Sequence, residues 1–126
     1  MLNNKGQSLV AFLILFPIVI LIMFIVIDIL NARIVKSSLD NISKIAITYG
    51  VNNIDSSDIV SKIEKLLYKN NSKLDSVDIR IDDGKVYIDI TERQEMIIDI
   101  GFDYMMIKSS LYGYNYEGKI VIERNK

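Results

Sequence analysis

The sequence predicts an α+β fold: a long N-terminal helix, transmembrane in its first half, packed on a small antiparallel β-sheet with one short helix. Three observations carry that prediction. The stretch Leu9–Ile27 contains no charged or strongly polar residue. Beyond it, apolar residues continue at helical spacing as far as Tyr49. Further on, two alternating runs flank Asp83-Gly84, the signature of a tight hairpin.

As a helix, Leu9–Ile27 rises about 28 Å, close to the hydrocarbon thickness of a bilayer. In lipid a backbone satisfies its own hydrogen bonds, so the helix prevails despite many β-branched residues. A buried core helix is the alternative. So small a remainder does not wrap a rod that is apolar on every side. The run is also long for a signal-peptide core, and Asp28–Ala32 offers no small-x-small cleavage site, so a retained anchor fits better. Lys5 precedes the span and Arg33, Lys36 and Lys44 follow it, a distribution that leaves orientation open. Pro17 removes one backbone donor inside the span and predicts a helix kink near Leu13–Pro17. Asp28 ends the apolar run and reads as the membrane exit.

Ala32, Val35, Leu39, Ile42, Ala46 and Tyr49 recur at spacings of three and four, while Arg33, Lys36, Asp40 and Lys44 fall elsewhere on the wheel. The stripe is short for a coiled coil, and the expectation is packing against the chain's own C-terminal domain through Val35, Leu39, Ile42 and Ala46. Gly50 is the expected helix stop. The resulting division is a transmembrane helix over 7–28, its extramembrane continuation over 29–50, and a small α+β domain over 51–126.

Within that domain, Ser57 reads as the N-cap of an amphipathic helix over about Asp58–Lys69, with Ile59, Ile63, Leu66 and Leu67 on its apolar face. Val77, Ile79 and Ile81 alternate with Asp78, Arg80 and Asp82; after Asp83-Gly84, Val86, Ile88 and Ile90 alternate with Tyr87 and Asp89. A two-residue loop pairs Ile81 with Val86, Ile79 with Ile88 and Val77 with Ile90, so the six apolar side chains share one face. The same register sets Asp82 against Lys85 and Asp78 against Asp89. Asp82 and Asp83 serve the turn and not calcium, because strand residues occupy the frame an EF-hand loop needs. Met96–Ile100 suggests a third strand and Lys119–Glu123 a final one after the turn at Glu117-Gly118, with 102–111 open between strand and helical turn. Tyr112, Tyr114 and Tyr116 alternate, and with Tyr104 they fit two readings. One is an adhesive or partner-binding surface, the other a half-buried strand whose rings cover the sheet.

Composition narrows function. The chain has 126 residues, 15 Lys+Arg against 16 Asp+Glu, and neither His nor Cys. The missing imidazole and thiol remove the commonest general base, nucleophile and metal ligands, so no catalytic residue, metal or cofactor is expected and the chain does not read as an enzyme. The mild acidic balance gives no footprint for nucleic acid.

The N-terminus supplies one further clue. A short polar leader ends in Lys5-Gly6; Gln7-Ser8-Leu9-Val10-Ala11-Phe12 and the apolar run follow, with Pro17 and Asp28 inside and after it. This resembles a type IV prepilin N-terminus, most closely the TadE-like pseudopilins of tight-adherence (Tad) pilus systems. Gln7, Pro17 and Asp28 fall at that family's spacing, and Lys5 and Gly6 at the end of its leader. The resemblance implies a prepilin-type leader over 1–6, cut between Gly6 and Gln7 by a prepilin peptidase. It also implies a cytoplasmic N-terminus and an extracytoplasmic C-terminal domain. The implied partners are membrane lipid, other pilin or pseudopilin subunits and a pilus assembly platform. Where the family carries a glutamate early in the mature chain, Ala11 stands here, which points to a minor pilin or pseudopilin. The alternative is an uncleaved, single-pass anchored binding module or complex subunit.

Overall fold

The computed structural model describes residues 4–98 and 103–126. The first element, α1, spans Asn4–Asn52; α2 (Ile59–Asn70) follows, and then β1 (Leu74–Asp82), β2 (Lys85–Glu95), β3 (Tyr104–Tyr116) and β4 (Lys119–Arg124). The strands form one antiparallel meander in the order β1-β2-β3-β4. The distal half of α1 lies on the face of β2 and β3, and α2 closes the layer against α1 and β1. The fold is therefore α+β.

The two halves of α1 differ in their surroundings. Its most apolar window contains no buried residue, and by length and composition the helix is long and apolar enough to cross a membrane. The helix runs through Pro17 without a break. Beyond Ile27 one stripe goes under the sheet: Asp28, Leu39, Ser43, Ala46, Ile47, Gly50 and Val51 are buried. Of the four packing residues the sequence picks out, Leu39 and Ala46 are fully covered, while Val35 and Ile42 are partly covered at the margins.

The helix does not stop at Gly50. It continues to Asn52, and Gly50 is a contact point: a Cβ there would lie 2.8 Å from Ile63 Cδ1 and 3.3 Å from both Val86 methyls. Glycine lets α1, α2 and β2 meet, a packing role that overrides its stop propensity. Likewise the N-cap of α2 is Asp58 and not Ser57, and it makes no side-chain cap bond. Instead Ser56 Oγ donates to Asp58 Oδ1 at 2.8 Å, and Lys62 Nζ pairs with the same carboxylate at 3.3 Å. Ser56 and Lys62 together hold the Asp58 carboxyl below its ordinary value, the hydroxyl bond first. Ile59, Ile63 and Leu67 of α2 are buried as the pattern requires, and Leu66 is partly covered.

The first hairpin has the expected register in full, including Asp82 opposite Lys85 and Asp78 opposite Asp89. Asp83 and Gly84 take positive φ, 49° and 73°, as a type I′ loop demands. Glu117 and Gly118 repeat the geometry at φ 51° and 81° in the β3–β4 turn. Ser110 Oγ donates to Asp89 Oδ1, which gives that carboxylate a partner despite the like charge opposite.

The expectation for Met96–Ile100 needs correction. Met96, Ile97 and Ile98 belong to no strand, and Asp99 and Ile100 lie outside the described residues. The extra strand length is on β2, which continues to Glu95 with Glu92 and Gln94 turned inward. Hydrophobic alternation cannot register inward polar residues, and these two are bonded: Asn71 Nδ2 donates to Glu92 Oε1 at 3.0 Å, and Gln94 Nε2 reaches the Asp28 carbonyl at 3.5 Å. Tyr104–Leu111 is strand, the first part of β3. Phe102 lies outside the described residues.

Candidate functional site: the helix exit and the domain above it

Asp28 is more than the end of an apolar run. It is only 3% exposed. Its Oδ1 accepts the Ile97 backbone N–H at 3.0 Å and its Oδ2 accepts that of Ile98 at 3.3 Å. A carboxylate taking two backbone donors is a strong acceptor arrangement, and it pins Ile97 and Ile98, just after β2, to the helix where the apolar rod ends. No side chain announces the partners, which is why the sequence pointed only to the water boundary.

Higher on α1, Asp40 gathers a second cluster. Ser109 Oγ donates to its Oδ1 at 2.6 Å, Lys36 Nζ lies 3.5 Å from Oδ1, and Arg124 Nη2 lies 3.9 Å from Oδ2. These groups join α1 to β3 and β4 beside a cleft of about 630 Å³ whose lining includes Ile29, Arg33, Lys36, Met106 and Lys108. Ser109 and Arg124 were not foreseen. The phase of β4 could have found Arg124, because it follows Ile120 and Ile122 on the inward face.

On the outer face of the sheet the tyrosines stack on one another. Tyr87 and Tyr112 face across β2 and β3 with centroids 5.3 Å apart, and Tyr114 adds to Tyr112 at 6.2 Å. Arg80 lies 4.6 Å over the Tyr87 ring, and Lys85 lies 5.6 Å and 5.4 Å from Tyr112 and Tyr114. Tyr112 and Tyr114 are half-buried, while Tyr104 and Tyr116 are exposed. For the two stacked residues of β3, rings that cover the sheet describe the geometry. The Tyr112 hydroxyl donates to Glu123 Oε2, a bond that loses its proton when the phenol ionises. That bond, with burial and the Glu123 charge behind it, pushes the phenol up to about 12. Because the folded-state value is raised, the contact stabilises the fold fully below the ordinary phenol range near 10.0, and that contribution is lost as pH rises through about 12. Ultraviolet titration of the tyrosinate band should therefore show one late-ionising tyrosine, and Tyr112→Phe should remove that late step.

At the other end, Gly6 and Gln7 lie in the first turns of α1, Gln7 exposed and Gly6 partly covered. Ala11 is exposed on the same rod. The structure thus puts Gly6, Gln7, Pro17 and Asp28 on one continuous helix and brings only Asp28 into the domain.

No family model, curated protein or solved structure matches the chain. What it does rests on its own residues and geometry.

Proposed function

We propose that the chain is a pilin-like membrane subunit of the TadE-like kind. A prepilin peptidase removes the leader after Gly6, and the mature chain begins at Gln7. The N-terminus is cytoplasmic and the C-terminal domain extracytoplasmic. The subunit joins assembly of a Tad or type IV-type surface filament as a minor pilin or pseudopilin.

The observation that supports this best is the division of α1: an uncovered apolar rod that continues unbroken into the strut of a small α+β domain. The rod's large apolar side chains, such as Leu13, Ile14 and Ile22, are more than half exposed, so their cover comes from outside the chain. Lipid supplies it in storage and like helices supply it in an assembly. Transfer between two non-aqueous surroundings carries little hydrophobic gain, so packing decides the exchange. Ala11 has no carboxylate to neutralise a neighbouring subunit's terminal amine, and an unpaired charge inside an apolar bundle is costly. That suits a minor or initiating subunit better than a repeating one.

Gly6→Leu tests the processing step. In cells that carry a prepilin peptidase, the substituted chain should keep its full mass while the unsubstituted chain shortens. Equal masses for the two would favour an uncleaved anchored module instead.

A further inference from the structure

We infer that the domain end where Ile97 and Ile98 meet Asp28 rests on the phospholipid surface, with the cleft between α1 and β3 taking an anionic headgroup. The inference depends on the membrane-anchored reading of α1. Because α1 is continuous, the height of the domain above a bilayer is set by where the apolar rod ends. Asp28, the first charge after that rod, holds the N–H groups of Ile97 and Ile98. A helix that spans lipid therefore brings Ile97 and Ile98 down to the level of the headgroups.

The side chains at that level suit such a place. Ile29, Leu30 and Ile34 of α1 are exposed, as are Ile97, Tyr104 and Met106, and Ile29 and Met106 line the same cleft. Elsewhere on the domain the exposed large apolar residues among those described are scattered: Ile45, Val60, Tyr68 and Tyr116. Arg93 lies 4.1 Å over the Tyr104 ring, an aromatic and a cation together where interfacial anchors are favoured.

Charge gives the seat a direction. Arg33 stands about 7.5 Å along the helix from Asp28, within the Debye length of about 8 Å at physiological salt, and Lys36 stands about 12 Å along, where a charged surface is felt only at lower salt. Lys36 Nζ donates to the Lys108 carbonyl, which puts Lys108 on the opposite wall of the cleft. Asp40, deeper in, is held by Lys36, Ser109 and Arg124. Among the described residues neither Arg33 nor Lys108 makes an ion pair. Glu95 and Asp103 line a separate hollow with Arg93 and Tyr104, while Arg33, Lys36 and Lys108 line the α1–β3 cleft, so the anionic headgroup belongs in the cleft.

The chain has no Trp, so an introduced indole reports alone. Phe16→Trp in the rod, Ile97→Trp at the connection and Val60→Trp on α2 are each placed in the full chain. They are reconstituted into vesicles of chain-brominated phosphatidylcholine, with or without phosphatidylglycerol. Phe16→Trp and Ile97→Trp should be quenched, Ile97→Trp most by bromines nearest the headgroup, and Val60→Trp should not. With phosphatidylglycerol present, Arg33→Glu and Lys108→Glu should each lower the seated-to-lifted ratio read at Ile97→Trp about fivefold or more. Quenching of Phe16→Trp without quenching of Ile97→Trp overturns the inference and leaves anchoring intact. Blue-shifted but unquenched Ile97→Trp assigns this end to another copy of the chain and also overturns it. An unquenched Phe16→Trp removes the anchoring reading and the inference together. If Ile97→Trp does not fold, a nitroxide on Met106→Cys, the sole thiol in a Cys-free chain, reads the same immersion by oxygen against nickel accessibility.

Discussion

Gly113→Val should destabilise the domain by about 3 kcal/mol, the upper part of the range for forcing atoms into a packed core. Gly113 lies on β3 opposite Val86 and Ile122, on the face that α1 covers. A Cβ there would fall 2.3 Å from Ile47 Cγ2, 3.1 Å from the Val121 carbonyl oxygen and 3.2 Å from Ile122 Cγ1. Ile47 is fully buried and has nowhere to swing, and the Val121 contact is backbone. The helix must therefore lift from the sheet or the strand must bend. Chemical denaturation of the reconstituted or detergent-solubilised chain reads the loss as a lower midpoint at unchanged slope. Ile47→Ala costs stability of its own, about 2–5 kcal/mol, but combined with Gly113→Val the loss should be smaller than the sum of the two, because the valine fills space that the shortened side chain vacates. An unchanged midpoint for Gly113→Val alone would mean that α1 does not seat against β3 at this distance.

The second large effect is expected at Asp28. Asp28→Ala leaves the Ile97 and Ile98 N–H groups without the carboxylate that accepts them. Hydrogen bonds to a charged group contribute about 1.5–3 kcal/mol each, so opening of the connection should become easier by at least one such bond. Hydrogen exchange at the two amides should accelerate about tenfold to a hundredfold, while the amides of Ile88 and Ile90 in the sheet centre keep their protection. Asp28→Asn retains a single acceptor oxygen and should lie between the two. Loss of protection across the whole sheet in Asp28→Ala would show that the residue supports the global fold and not the local clamp.

These two sites mark where the sequence speaks and where it is silent. The β1–β2 register was legible because two local signals agree: a dipeptide suited to positive φ and strict alternation on both sides of it. The buried stripe of α1 was legible in outline, since Leu39 and Ala46 announce a face, but its true line also takes in Ser43, Ile47 and Gly50. Ser43 and Gly50 escape a search for large apolar residues, although small side chains are what allow a helix to approach a sheet. The same holds for β3, where the inward positions run Ile107, Ser109, Leu111, Gly113, so that Ser109 and Gly113 break the apolar alternation. Asp28 was hidden for a different reason. Its partners are backbone groups far along the chain, and a backbone N–H leaves no mark in a sequence. The resemblance at the N-terminus is of another kind, because it rests on the order and spacing of Gly6, Gln7, Pro17 and Asp28 along the chain.

The most direct test of the proposed role is the intact mass of the protein extracted from the membranes of cells that carry a prepilin peptidase. A pilin-like subunit processed at its leader yields a polypeptide that starts at Gln7 and lacks the mass of residues 1–6. A mass that still includes Leu2 through Gly6 would contradict it, and would leave a domain tethered by an uncut helix.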